Sequence, residues 1–178
     1  MLHNIDMSIL WFIQEHMKSA FLDGPMILIS AIGGRGILWA AAAAGFLCSK
    51  KYRKYGAALL VALALCLLVG NLGLKNLVAR ERPFTTVPDF LLLVREPLDF
   101  SFPSGHSMTS FAAAGVIFAA NRKLGWGAFA AAALIAFSRL YLFVHYPSDV
   151  LAGILLGLLT AAFVLWAFRL FKKPKPSV

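Results

Sequence analysis

Long apolar runs separated by short polar stretches leave this chain few ways to fold. Residues 55–75, 126–144 and 150–170 each approach or exceed the ~20 residues that a helix needs to cross a bilayer. A fourth run, 107–120, approaches that length if its helix begins at Gly105 and continues to Arg122. With 60% apolar and 14% charged residues, the chain lies far from the composition of a soluble domain. The formal charge of +9 would suggest nucleic acid as the partner of a soluble protein. Here the basic residues serve membrane orientation instead, so the expected surroundings are a lipid bilayer and no nucleic acid. Cys48 and Cys66 both lie in apolar runs and are expected to be inert buried thiols, since two cysteines cannot staple a chain of 178 residues.

The N-terminal third is less regular. Residues 21–47 are apolar but interrupted by Gly33-Gly34-Arg35-Gly36, which predicts either two short helices or a surface helix followed by one span. Before it, residues 5–20 place Ile5, Ile9, Leu10, Phe12, Ile13 and Met17 near one face, the pattern of an amphipathic helix lying in the membrane interface. The first residues lack a basic region and a small-residue cleavage site, so no removable signal peptide is expected. The predicted fold is an all-α, polytopic membrane bundle of five or six transmembrane helices, preceded by the amphipathic helix at 1–20. The bundle occupies 21–171, and 172–178 form a basic tail.

Basic residues fix the orientation. Lys50, Lys51, Arg53 and Lys54 form one cluster, Arg122 and Lys123 a second, and Arg169, Lys172, Lys173 and Lys175 a third, all free of acids and expected on the cytoplasmic side. The spans then bring residues 80–103 and 145–149 together on the extracytoplasmic face of the cell membrane. Trp126 and Trp166 fall near cytoplasmic span ends, and Gly153-x3-Gly157 predicts close helix approach.

Three motifs end on that outer face: Lys75-x6-Arg82-Pro83, Pro103-Ser104-Gly105-His106, and Ser138-Arg139-x5-His145-x3-Asp149. Together they supply three cations, two histidines, a carboxylate and a glycine at a helix start, a set suited to phosphoryl transfer without a metal. Ser104 is a good N-cap, and the helix start beyond it is an anion site. Asp149, four residues after His145, can accept from one imidazole nitrogen and leave the other as an unprotonated nucleophile. Pro83 predicts that the helix carrying Lys75 ends at about Arg82. Three cations with few acids nearby repel one another, which an anionic ligand resolves better than any residue of the chain. Arg80, Glu81, Arg95 and Glu96 are expected as solvated pairs around a loop that covers the pocket or merely connects spans. His3 and His16 are expected to be structural.

In combination and order, these motifs resemble the signature of the type 2 phosphatidic acid phosphatase superfamily, which also includes bacterial lipid phosphatases and vanadium haloperoxidases. The resemblance implies His145 as the nucleophile that becomes phosphohistidine, Asp149 as its orienter and His106 as general acid and then base. It implies Lys75, Arg82 and Arg139 as phosphate ligands, assisted by Ser104 and Gly105, with no metal and no cofactor. The expected function is hydrolysis of a membrane lipid phosphate or pyrophosphate, with undecaprenyl pyrophosphate favoured and phosphatidylglycerophosphate or phosphatidate as alternatives. An anion channel or transporter is the non-enzyme alternative, disfavoured because the spans carry almost no polar residues between their ends.

Overall fold

A computed structural model describes residues 1–169, so Lys172, Lys173, Lys175 and the tail at 172–178 lie outside the described residues. The described residues form eight α-helices and no strand. They are α1 (Leu2–His16), α2 (Ala20–Gly33), α3 (Ile37–Cys48), α4 (Arg53–Leu65), α5 (Lys75–Val78), α6 (Gly105–Ala120), α7 (Arg122–Tyr141) and α8 (Pro147–Ala167). A π-helical stretch, Cys66–Leu74, joins α4 to α5 without a break.

The interruption at 33–36 makes two helices of the 21–47 run. Gly36 adopts φ +70°, a left-handed conformation that glycine takes at no steric penalty, and α2 and α3 meet at a bend of 51°. By length and composition, Arg53–Thr86, Arg122–Tyr141 and Pro147–Ala167 can each cross a membrane, and the bent α2–α3 pair is a fourth candidate.

Helix α6 is the centre of the bundle. Its residues Met108, Ala112, Ala113, Ala114 and Val116 are buried, and it packs between α7 and α8 with α4 alongside. Small residues allow this: a Cβ on Gly157 would lie 2.3 Å from the Met108 carbonyl oxygen, and one on Gly153 would lie 2.6 Å from that of Ser104. The predicted close approach of helices at this Gly-x3-Gly is therefore an α6–α8 contact of backbone on backbone. Large apolar side chains such as Leu67, Leu68, Leu151, Leu155 and Phe163 face outward, as in a bundle solvated by lipid.

Both termini of this core are set locally. Ser104 caps α6 by accepting from Ser107 N, and Pro147 starts α8, where its missing N–H leaves no unpaired donor. Ser104 N donates to Asp149 O at 3.1 Å, so α6 and α8 start side by side and run parallel. At the other end, Asn121 Nδ2 donates to the Tyr52 hydroxyl at 3.4 Å, which joins the α6–α7 turn to the α3–α4 turn. The basic residues 50–54 and 122–123 thus share one end of the bundle with Arg169, and the starts of α6 and α8 form the other.

Helix α1 differs from its predicted form. Asp6, Leu10 and Ile13 are buried, whereas Ile5, Ile9 and Phe12 are exposed, so the apolar stripe is split between two faces. The helix is docked by polar contacts instead: Asp6 Oδ1 accepts from Ser148 N at 2.9 Å, and Gln14 Nε2 donates to Tyr141 O at 2.9 Å. The two cysteines also part company, Cys66 being buried and Cys48 exposed at the end of α3. His3 packs edge-on to Tyr146, and His16 stacks on Phe12.

Candidate active site

At the end of the bundle opposite the basic turns lies a cavity of about 870 Å³. Lys75, Arg82, Gly105, His106, Arg139 and His145 all line it, together with Asp99. One side of it is apolar, lined by Ala40, Leu60, Leu63, Ala64 and Leu67, of which Leu60 and Leu67 are also exposed on the outer surface of the bundle. The two imidazoles therefore face one space.

Each side chain is delivered by a different piece of backbone. The π-helical stretch rotates the end of α4 so that Lys75 points inward, and π-helical insertions recur at functional sites. Helix α5 ends earlier than Pro83 predicted: Ala79 takes φ +48° and turns the chain after Val78, and Arg82 follows in extended backbone. Arg82 is then fixed by backbone acceptors, its Nη1 donating to Val144 O at 2.6 Å and its Nε to Asp99 O at 2.8 Å. Gly105 stands at the head of α6 against Asn71, whose Oδ1 would be 2.6 Å from a Cβ there. Ser104 is fully buried beneath it, accepting from Ser107.

Arg139 reaches in from the last turn of α7 and is only 6% exposed. One of its Nη atoms donates to Ser30 on α2, while its Nε is buried with no partner among the described residues. An orphaned guanidinium N–H is expensive to bury, and an incoming oxyanion is the acceptor it lacks.

His145 lies in the short link between α7 and α8. Burial, and after it the charges of Arg82, Arg139 and Lys75, hold its ring pKa well below the ordinary histidine value. Its Nε2 faces Arg82 Nη1 at 3.3 Å. The predicted direct contact of Asp149 with the ring is corrected by the structure: Nδ1 and Oδ2 are 3.7 Å apart, too long for a hydrogen bond. Ser101 stands between them, its Oγ 3.4 Å from Nδ1 and donating to Asp149 Oδ2 at 2.5 Å. Tyr146 N donates to the same Oδ2 at 3.0 Å, and Arg80 Nη1 donates to Oδ1 at 2.6 Å.

Two further expectations change. Arg80 is no solvated loop residue: it bridges Asp149 and the buried Asp6, and its guanidinium covers the Tyr146 ring at 3.9 Å. The cations are not left for a ligand alone either, because Asp99 pairs with Lys75 and, through Oδ1 at 2.7 Å, with Arg82. Burial would raise the Asp99 carboxyl, but Lys75 and Arg82 outweigh it and hold its pKa at about 2. Sequence reasoning missed Asp6, Asp99 and Ser101. A signal existed for Asp99, the single acid between Glu96 and Asp149, four residues before the Pro-Ser-Gly-His motif.

A membrane-crossing helical bundle with one end hollowed into a cationic, histidine-bearing cavity defines a membrane protein built to handle an oxyanion. Residues 54–173 match the PAP2 superfamily. The chain is 34% identical to an undecaprenyl-diphosphatase of Sulfolobus acidocaldarius over 144 residues, 80% of this chain and 69% of that protein. Its structure superposes on the PAP2-type phosphatidylglycerolphosphate phosphatase of Bacillus subtilis with a TM-score of 0.71 at 26% identity, covering 98% of this chain and 97% of that one. It superposes on LpxE of Aquifex aeolicus with a TM-score of 0.78 at 25% identity, covering 91% and 95%. The chain belongs to the PAP2 superfamily, and within it to the membrane lipid phosphatases.

Proposed function

We propose that this chain removes the terminal phosphate of a lipid phosphate or pyrophosphate at the extracytoplasmic face of the cell membrane, through a phosphohistidine on His145. The observation that carries the reading is the unpartnered, buried Nε of Arg139 in a cavity shared by two other cations and both histidines. With Nδ1 protonated, a hydrogen-bond chain runs from His145 through Ser101 to Asp149 and leaves Nε2 unprotonated, its lone pair accepting from Arg82 Nη1 at 3.3 Å until the phosphate takes up that guanidinium. In the first step Nε2 attacks phosphorus, the bond to the lipid oxygen breaks, and His106 gives that oxygen a proton. In the second, water attacks phosphorus, the P–N bond breaks, and His106 takes the proton from water. Lys75, Arg82 and Arg139 bind the equatorial oxygens throughout, and the backbone N–H of Gly105 at the start of α6 adds to the field, while Ser104 holds that start in place through its bond to Asp149 O.

The apolar wall at Leu60, Leu63 and Leu67 gives a lipid tail a place beside the phosphate site. The Sulfolobus relative favours undecaprenyl pyrophosphate as substrate, and the match to the Bacillus phosphatase over nearly the whole of both chains supports phosphatidylglycerophosphate as the second reading. The orientation follows from the basic turns gathered at the far end of the bundle. Counting the bent pair, α4–α5, α6, α7 and α8 gives five crossings, with α1 lying on the outer surface, where Asp6 meets Ser148.

The test is release of inorganic phosphate from undecaprenyl pyrophosphate, phosphatidylglycerophosphate and phosphatidate by the purified protein in detergent containing EDTA. Turnover should persist with EDTA and stop with vanadate, and His145→Ala should abolish it without lowering the melting temperature. Full activity in that variant removes His145 as nucleophile.

A further inference from the structure

The three cations of the phosphate site are held by different means. Arg82 keeps its orientation through backbone acceptors, Val144 O and Asp99 O, and Arg139 is tied to Ser30. Lys75 has one hydrogen-bond partner among the described residues, the carboxylate of Asp99. That carboxylate spans Lys75 and Arg82 with one oxygen each, the way a phosphate would bridge them. Yet it is held by little else. The Asp99 side chain is 54% exposed, it stands in a stretch without helix or strand, and its neighbour Leu98 is 95% exposed.

We propose that Asp99 is an internal counter-anion of the phosphate site, which occupies Lys75 and Arg82 between turnovers, is displaced by the phosphate of the arriving lipid, and returns as inorganic phosphate leaves. The proposal rests on the phosphate-site reading given above. Because the carboxylate must be released whichever anion arrives, it weakens every ligand by one common factor. A site that its own side chain holds for about nine-tenths of the time binds about tenfold more weakly than an open one. A lipid anchored by its tail tolerates that factor, whereas free phosphate, with no tail, is kept off. Product inhibition is therefore relieved without any change in which lipid wins.

The experiment is titration of the purified wild type, Asp99→Asn and Asp99→Ala with inorganic phosphate and with methylene diphosphonate, followed calorimetrically in detergent. Both variants should bind both ligands about tenfold more tightly, by the same factor for each, and phosphate should inhibit turnover at correspondingly lower concentration. Unchanged or weaker binding overturns the proposal and makes Asp99 an orienter of Lys75 and Arg82. A factor that is larger for the more highly charged diphosphonate also overturns it, because a fixed nearby charge repels in proportion to ligand charge whereas displacement does not. Melting temperatures confirm that the variants are folded. Absence of wild-type phosphate release would defeat the phosphatase reading, while the binding comparison would still decide the role of Asp99.

Discussion

Ser101 is the residue on which the geometry of the histidine turns. Asp149 already accepts from Tyr146 N and from Arg80, so its carboxylate is well held without His145, and the ring is linked to it only through the serine hydroxyl. Hydrogen bonds to charged groups contribute about 1.5–3 kcal/mol, and each 1.36 kcal/mol in a barrier is about tenfold in rate. Ser101→Ala should therefore lower kcat by about one to two orders of magnitude with little effect on KM, because the phosphate ligands are untouched. Ser101→Thr, which keeps the hydroxyl, should restore most of the rate. Steady-state kinetics on phosphatidate would decide; equal losses in the two variants would mean that the site needs the small volume of serine rather than its hydroxyl. The motif spacing brought His145 and Asp149 together, since both lie in one turn of chain. It could not place Ser101 between them, 44 residues before the histidine, because that depends on how the loop ahead of α6 folds back.

Among the elements, the α6–α8 pair sets the site, as these two helices start side by side and carry the Ser-Gly-His segment and Asp149. What was legible here was local: the Ser104 cap, the start at Gly105, Pro147 in the first turn, and the small-residue spacing of Gly153 and Gly157. What was illegible was long-range. Arg80, Asp6 and Ser148 form one network from positions up to 142 residues apart, and the buried face of α1 follows Asp6 rather than the apolar stripe. No period in the sequence encodes such a contact. The α6–α8 contact itself is testable at Gly157, where a Cβ would lie 2.3 Å from the Met108 carbonyl oxygen, an atom that cannot turn aside. Overpacking of this kind destabilises by about 1–3 kcal/mol. Gly157→Ala should lower the melting temperature in detergent and depress activity by moving the two helix starts apart. Gly127→Ala on α7, with no atom within 4 Å of the new methyl, is the control and should do neither. Equal melting temperatures for the two variants would show that the helices separate without penalty.

Across the whole molecule, charge and chemistry lie at opposite ends. The turns at 50–54 and 122–123 and the end of α8 carry Lys and Arg without a carboxylate among them, while eight of the residues lining the cavity are ionisable and gather at the other end. A bilayer would make this polarity directional, since basic turns as a rule resist transfer across it, which is the ground for the proposed cytoplasmic side. Exposed residues at both ends make it measurable. In a Cys48→Ser background, Leu98→Cys places a thiol on the loop beside the cavity, and Lys51→Cys places one in the α3–α4 turn. An impermeant maleimide added to intact cells should label position 98 and spare position 51 until the membrane is opened. The reverse pattern would turn the bundle over and put the phosphate site in the cytoplasm, and labelling at both positions would mean that α4–α5 does not cross. An N-terminal thiol at Leu2, exposed at the start of α1, should react together with position 98. Asp6 of α1 grips Ser148 beside the cavity, so α1 cannot lie on the far side of the membrane from the site while that contact holds.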